Sequence, residues 1–363
     1  MFGIRGYSQE EAHVRHVLTE MGIRQTASPQ IGFEEGCRAA GRRPLDYSSK
    51  FILELDAHSP ARQTMARIYL TLLDNIDRNI PGVLADWDTE FLHDLRVAIR
   101  RTRSGLSLVK KVLPDAVVER FSKAFGRLGS LTGPTRDLDV YLLNREAYLQ
   151  RLTPAVQPGL LLFFADLERR RQIEQKKLVR VLRAKTTKSL LASWRRTLRS
   201  RDRQPAPLAG LPSVEMASRI IRKRFKRVLQ DGQALDAATP DTDVHRLRIQ
   251  CKKLRYAMEF FSALYPKQEM QLLLRHLKKL QDILGSFNDL SVQQELLRVA
   301  LKKLPTGARC HLEQAAALGA LMQSLNQEQQ ELRGHFTEAF DQFGDPATTA
   351  LFLELFQKKQ DRA

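Results

Sequence analysis

The sequence predicts an all-α protein of two pseudo-symmetric four-helix bundles, related by an internal duplication. Three observations predict it. From about residue 60 onward the apolar residues follow the helical period nearly throughout, in a chain dominated by Ala, Leu, Glu, Gln, Lys and Arg. Proline and glycine fall between these segments, at Pro81-Gly82, Pro114, Gly133-Pro134, Pro154, Pro158-Gly159, Pro266 and Pro305. The chain also matches itself at a constant offset of 152 residues.

The N-terminal segment, residues 1–59, is set apart by charge. It holds 7 basic and 8 acidic residues, against 29 and 15 in residues 60–211 and 23 and 18 in residues 212–363. It is read as an extension docked on the first bundle, with a short strand pattern at Lys50–Asp56. His13 and His16 stand at i, i+3, but no third ligand is near, so a surface helix is expected. The first repeat spans 60–211 and the second 212–363, joined by the Pro-rich linker Gln204–Pro212.

The match is clearest between His93–Pro114, HDLRVAIRRTRSGLSLVKKVLP, and His245–Pro266, HRLRIQCKKLRYAMEFFSALYP. Basic residues coincide at Arg96 and Arg248, Arg100 and Lys252, Arg101 and Lys253, and Arg103 and Arg255. The register continues through Lys123 and Arg275, Arg127 and Lys279, Gly133 and Gly285, and Asp137 and Asp289.

On a helical wheel His93, Arg96, Arg100 and Arg103 fall on a stripe about 80° wide, flanked by Arg101. Leu95, Ala98, Ile99, Leu106 and Val109 take the far side. The second motif repeats this, with His245, Arg248, Lys252 and Arg255 opposite Leu247, Leu254, Met258 and Phe261. No acidic residue is read on either stripe, so an external anion is the natural complement of the crowded cations. Guanidinium forks bind phosphate oxygens in pairs, lysine binds as a point charge, and imidazole adds a donor that can become cationic. The plainer reading, a solvated basic face, is weakened because the pattern occurs twice with His leading each time.

Lys123 with Arg127, and Arg275 with Lys279, add i, i+4 cation pairs on the next helix. TGPTRDLDV, which contains Arg136, and LGSFNDLSV follow. In each a Gly break precedes an Asp, Asp137 or Asp289, expected to cap the next helix; orienting the arginines is its alternative role.

These paired motifs resemble CHAD domains, the conserved-histidine α-helical family, over roughly residues 60–363. The resemblance implies two four-helix bundles whose stripes line a shared channel. It also implies inorganic polyphosphate as the ligand and association with polyphosphate granules. Around Gly32–Gly41 and Tyr47–Asp56 the extension is faintly similar to the end of a triphosphatase-type CYTH domain, but the ExExK signature is absent.

The net charge of +18 favours a polyanion partner. Two other classes share that charge: a nucleic-acid binder, and a phosphotransferase or phosphohydrolase using His93 or His245. Aromatic content is only 7% and neither stripe interleaves aromatics, which disfavours single-strand binding. Trp87, Trp194 and Tyr256 are read as core. No metal, cofactor or catalytic motif is found, so a non-enzyme is expected. No apolar run approaches membrane-spanning length and no signal peptide is seen, so a cytoplasmic protein is expected, with Cys37, Cys251 and Cys310 as reduced thiols.

Overall fold

The computed structural model describes residues 8–22, 53–200, 205–233, 239–305 and 307–357, with 35, 38 and 39. It contains two compact units, Met1–Lys50 and Phe51–Ala363. In the first, α1 (Ser8–Glu20) carries His13 and His16 on its exposed surface, and His16 Nε2 lies 3.3 Å from Glu20. Among the described residues no group of three or more His, Cys, Asp or Glu side chains could hold a metal. Most of Gly32–Gly41 and residues 47–52, where the CYTH-like similarity was read, lie outside the described residues, as does Cys37.

The second unit is helical, with no strand among its described residues. Its helices are α2 (Ala61–Ala85), α3 (Thr89–Leu108), α4 (Asp115–Leu131), α5 (Gly133–Leu143), α6 (Arg145–Gln150), α7 (Gln157–Arg183) and α8 (Lys185–Arg199). After the linker come α9 (Ser213–Gly232), α10 (Asp241–Phe261), α11 (Lys267–Lys302), α12 (Arg309–Gly334), α13 (Phe336–Phe343) and α14 (Pro346–Leu355). Four pairs of helix starts differ by 152 residues: Ala61 and Ser213, Thr89 and Asp241, Asp115 and Lys267, Gln157 and Arg309.

The strand expected at Lys50–Asp56 is not present at 53–56, and residues 50–52 lie outside the described residues. The Asp56 carboxylate accepts from the His58 amide at 3.0 Å and the Ser59 hydroxyl at 2.9 Å, which bends the chain. A strand also needs a partner, and among the described residues the one β-bridge is the isolated pair Pro60 with Pro212. Around it Ala61 N donates to Leu211 O at 2.8 Å, and Ser213 N donates to Ser59 O at 3.0 Å. These two bonds exchange places under the 152-residue offset.

Two helix breaks read from the sequence are not breaks. α2 runs through Pro81-Gly82, because α3 packs there: a Cβ on Gly82 would stand 2.3 Å from Phe91 Cγ. α11 runs unbroken for 36 residues through Gly285. A glycine inside a helix costs only about 1 kcal/mol, which burial of Leu280, Leu284, Phe287 and Leu290 along the same helix easily offsets.

Two apolar cores result. One joins α2–α4, the end of α7, α8–α10, the first part of α11, α13 and α14. Trp194 is fully buried there, with ring centroids 5.2, 4.4 and 5.9 Å from Tyr69, Phe121 and Phe125. The other joins α5, α6, the start of α7, the end of α11 and α12 around Phe163, Phe164, Leu318 and Leu321. Both cores draw residues from both repeats. α7 and α12 touch closely at Gly159, where a Cβ would meet Glu313 O at 2.1 Å. Trp87, read as core, is 70% exposed, whereas Trp194 and Tyr256 are buried. No helix is long and apolar enough to cross a membrane among the described residues.

Candidate functional site

The site is built on α3 and α10, which carry the two motifs and pack on each other. α3 starts cleanly because Asp88 accepts from the Glu90 amide at 2.8 Å. Leu95, Ala98, Ile99, Leu106 and Val109 are buried, as are Leu247, Leu254, Met258 and Phe261, so the wheel assigns both apolar faces correctly. The opposite faces place cations of both repeats within electrostatic reach. Burial holds Arg248 below the ordinary guanidinium range, Asp289 opposes this, and Arg100 of the other repeat adds to it. Burial, then Arg248 and Arg100, push the Lys252 ammonium down to about 8.

On α3, Arg96 is anchored: Nη1 donates to Gly129 O at 2.9 Å and to Thr132 Oγ1 at 3.1 Å. Burial lowers its pKa, opposed by Asp137 and reinforced by Arg100, Arg136 and Arg103. Arg103 lies over Gly129, where a Cβ would come within 3.2 Å of its Nη1. Arg136, on α5, lies 3.7 Å from Glu90 and donates to Thr89 O at 3.4 Å. His93 is held below the usual imidazole range by burial and then by Arg136, with Glu90 and Asp94 opposing.

On α10, His245 Nδ1 lies 2.6 Å from Asn288 Oδ1, so with that oxygen as acceptor Nδ1–H donates. Arg248 Nη2 donates to Asp289 at 3.2 Å. Arg255 Nη1 donates to Gln281 at 3.0 Å, and its Nε lies 2.9 Å from Glu259. Glu259 also takes Arg101 Nη2 of the other repeat at 2.9 Å.

Two expectations need correction. The second stripe does contain a carboxylate: Glu259, one turn beyond Arg255, neutralises Arg255 and Arg101 together. The i, i+4 spacing was the signal that could have found it. Asp137 and Asp289 cap nothing, because each sits inside a helix; Asp289 pairs with Arg248, and Asp137 stands in the field of Arg96 and Arg136. Their alternative role, orienting the arginines, is the one observed for Asp289. Lys253, the counterpart of the flanking Arg101, lines a cavity with Lys110, Lys111 and Arg224, on the α4 side of α10.

Arg100, Arg103 and Lys252 make no hydrogen bond or ion pair to protein among the described residues, and neither does His93. Lys123, Arg127, Arg275 and Lys279 are exposed on α4 and α11, with no hydrogen bond or ion pair linking them to the stripes among the described residues. The partners Gly129, Thr132, Gln281 and Asn288 were not singled out in the sequence; Thr132 and Asn288 lie within TGPTRDLDV and LGSFNDLSV, whereas no charge or motif marks Gly129 and Gln281.

The family model described as the CHAD domain matches residues 67–298. The chain belongs to the CHAD domain family. Two solved structures share its fold. The CHAD domain from the plant Ricinus communis is 25% identical, with a TM-score of 0.61 over 77% of this chain and 96% of that one. PptA from Streptomyces chartreusis is 18% identical, with a TM-score of 0.62 over 78% of this chain and all of that one. No curated protein matches. In this CHAD protein the motif histidines head α-helical stripes that lie side by side, one from each repeat.

Proposed function

We propose that this CHAD protein binds inorganic polyphosphate along one basic path formed by both stripes, in a channel between two pseudo-symmetric bundles, residues 60–211 and 212–363. One observation carries the reading. Arg100 and Lys252, equivalent positions of the two repeats, face one cationic cluster and make no ion pair among the described residues, and their repulsion, only partly opposed by Asp289, helps hold the Lys252 ammonium at about 8. A polyanion relieves that repulsion, and a linear one can reach both stripes together.

The paired helix starts and the reciprocal bonds at Pro60 and Pro212 support a duplication about a local two-fold. Family membership supports polyphosphate over other polyanions. Binding is non-catalytic in this reading: the largest charge acting on His93 is the Arg136 guanidinium, which disfavours the imidazolium although Glu90 and Asp94 oppose it. Attachment to polyphosphate granules in the cytoplasm follows from the same affinity.

The test is a titration with polyphosphates of graded length against single- and double-stranded DNA of equal charge. Affinity should grow with polyphosphate length until both stripes are spanned and should exceed that for DNA. Equal affinity for DNA would overturn the choice of ligand. Release of phosphate from polyphosphate, lost in His93→Ala, would overturn the non-catalytic reading.

A further inference from the structure

Lys253 points to a second site. Its equivalent in the first repeat, Arg101, is neutralised by Glu259. Lys253 instead faces another cation: burial lowers its pKa first, and Arg224 of α9 lowers it further. Arg224 is itself lowered by burial. Neither makes a hydrogen bond or ion pair to protein among the described residues. The two line a cavity of about 540 Å³ between the end of α3, the start of α4, α9 and α10, with Lys110 and Lys111 beside them. A second cavity of about 320 Å³ shares Ser107, Lys110 and Arg224 and adds Lys223 and Arg219. Arg219 is already paired with Glu215.

Lys111 adds an independent feature. It has φ +63°, in the left-handed region that a residue with a Cβ adopts at a cost of roughly 1–2 kcal/mol. Its carbonyl accepts from Leu208 N at 2.8 Å, so the linker holds the turn that sets Lys110 and Lys111 at the cavity. The remaining wall is mixed. Leu106 and Val118 are apolar, while Ser122, Asp115 and Glu119 offer polar groups. Asp115 and Glu119 are the only carboxylates on the lining, against four cations.

We propose that this cavity is a second anion site, distinct from the stripes, that takes a small organic phosphate. The phosphates sit among Arg224, Lys253 and Lys110. The organic part lies on Leu106 and Val118, where its hydroxyl or amino groups can donate to Asp115 or Glu119. The volume falls within roughly 300–1,000 Å³, the size of small-molecule sites. The apolar wall and the carboxylates favour an organic phosphate over a bare inorganic one.

The experiment uses the full chain carrying Arg100→Gln and Lys252→Gln, which weakens the stripes, and calorimetric titration with ADP and with pyrophosphate. One ADP is expected to bind, several-fold more tightly than pyrophosphate. Adding Arg224→Gln with Lys253→Gln should weaken ADP by about tenfold or more. Arg224→Lys with Lys253→Arg, which keeps both charges, should retain it. Unchanged ADP affinity in the Gln pair overturns the site. No saturable binding of ADP, or pyrophosphate binding as tightly as ADP, overturns the ligand class. Polyphosphate binding by the chain with intact stripes should be little affected by Arg224→Gln, so the two proposals fail separately.

Discussion

Equivalent positions of the two stripes have different surroundings, and the differences lie mostly on neighbouring helices. His93 is faced by Arg136, and at the equivalent position His245 meets Asn288. A cation disfavours imidazolium, whereas an amide oxygen accepts from it. Arg103 lies over Gly129, while Arg255 donates to Gln281, again the equivalent residue. The pair Arg248 with Asp289 has its counterpart in Arg96 with Asp137, but Arg96 also donates to Gly129 O and Thr132. Only Arg100 and Lys252 share one condition, neither making a side-chain hydrogen bond or ion pair among the described residues. A repeated motif therefore fixes where the charges stand, and the neighbouring helices fix which of them remain available to a ligand.

The sharpest way to break this comparison is to remove the one equivalent pair left unpaired in both repeats. Arg100→Gln with Lys252→Gln should weaken polyphosphate binding by about 2–5 kcal/mol, as two charge-assisted contacts are lost. The slope of log K against log salt should flatten, because two fewer counterions are released. Arg199→Ala, at an exposed cation on α8, should change affinity by less than about 0.5 kcal/mol. Equal effects of these variants in calorimetry would mean diffuse attraction.

The histidines allow a finer test. Arg136→Asn makes the first repeat resemble the second and should raise the His93 pKa, since a repelling charge next to it is gone. An imidazole NMR titration of the variant reads the shift. No movement, or a fall, would show that Arg136 does not set the charge of His93.

Affinity should also depend on pH in two windows. A bound polyanion favours charged Lys252, so binding takes up a proton wherever the free amine is neutral. Affinity should therefore be level for this group below about pH 8 and fall as pH rises above it. Lys252→Arg should remove that limb. His93 has a free pKa below 6.5, so its contribution should grow as pH falls through that region and level off below its free pKa. The limb thus sits more acid than an unperturbed histidine would place it.

The smallest effect concerns stability. Folding lowers the Lys252 pKa, so the charged amine opposes folding below about pH 8, and this penalty fades as pH rises towards the unfolded value near 10.5. Lys252→Met should raise the Tm of the free protein by a few degrees at pH 7 while weakening polyphosphate binding. A lower Tm in scanning calorimetry would mean that the amine supports the fold.

The sequence by itself determined the helical class, the buried faces of α3 and α10, and the 152-residue register, because each is a periodicity along one chain. It also placed the stripe residues correctly on their helices, since spacing alone decides which face a residue takes. Tertiary structure decided the rest. It carried α2 through Pro81 and α11 through Gly285, because packing outweighs a local propensity of about 1–3 kcal/mol. It turned Asp289 from an expected cap into a counterion for Arg248, and it brought Glu259 within reach of Arg101 in the other repeat. It brought Lys253 against Arg224 of the neighbouring helix, in a cavity between α3, α4, α9 and α10. Which charges are spent on the protein and which remain for a ligand depends on distances between helices, and one-dimensional spacing does not contain those distances.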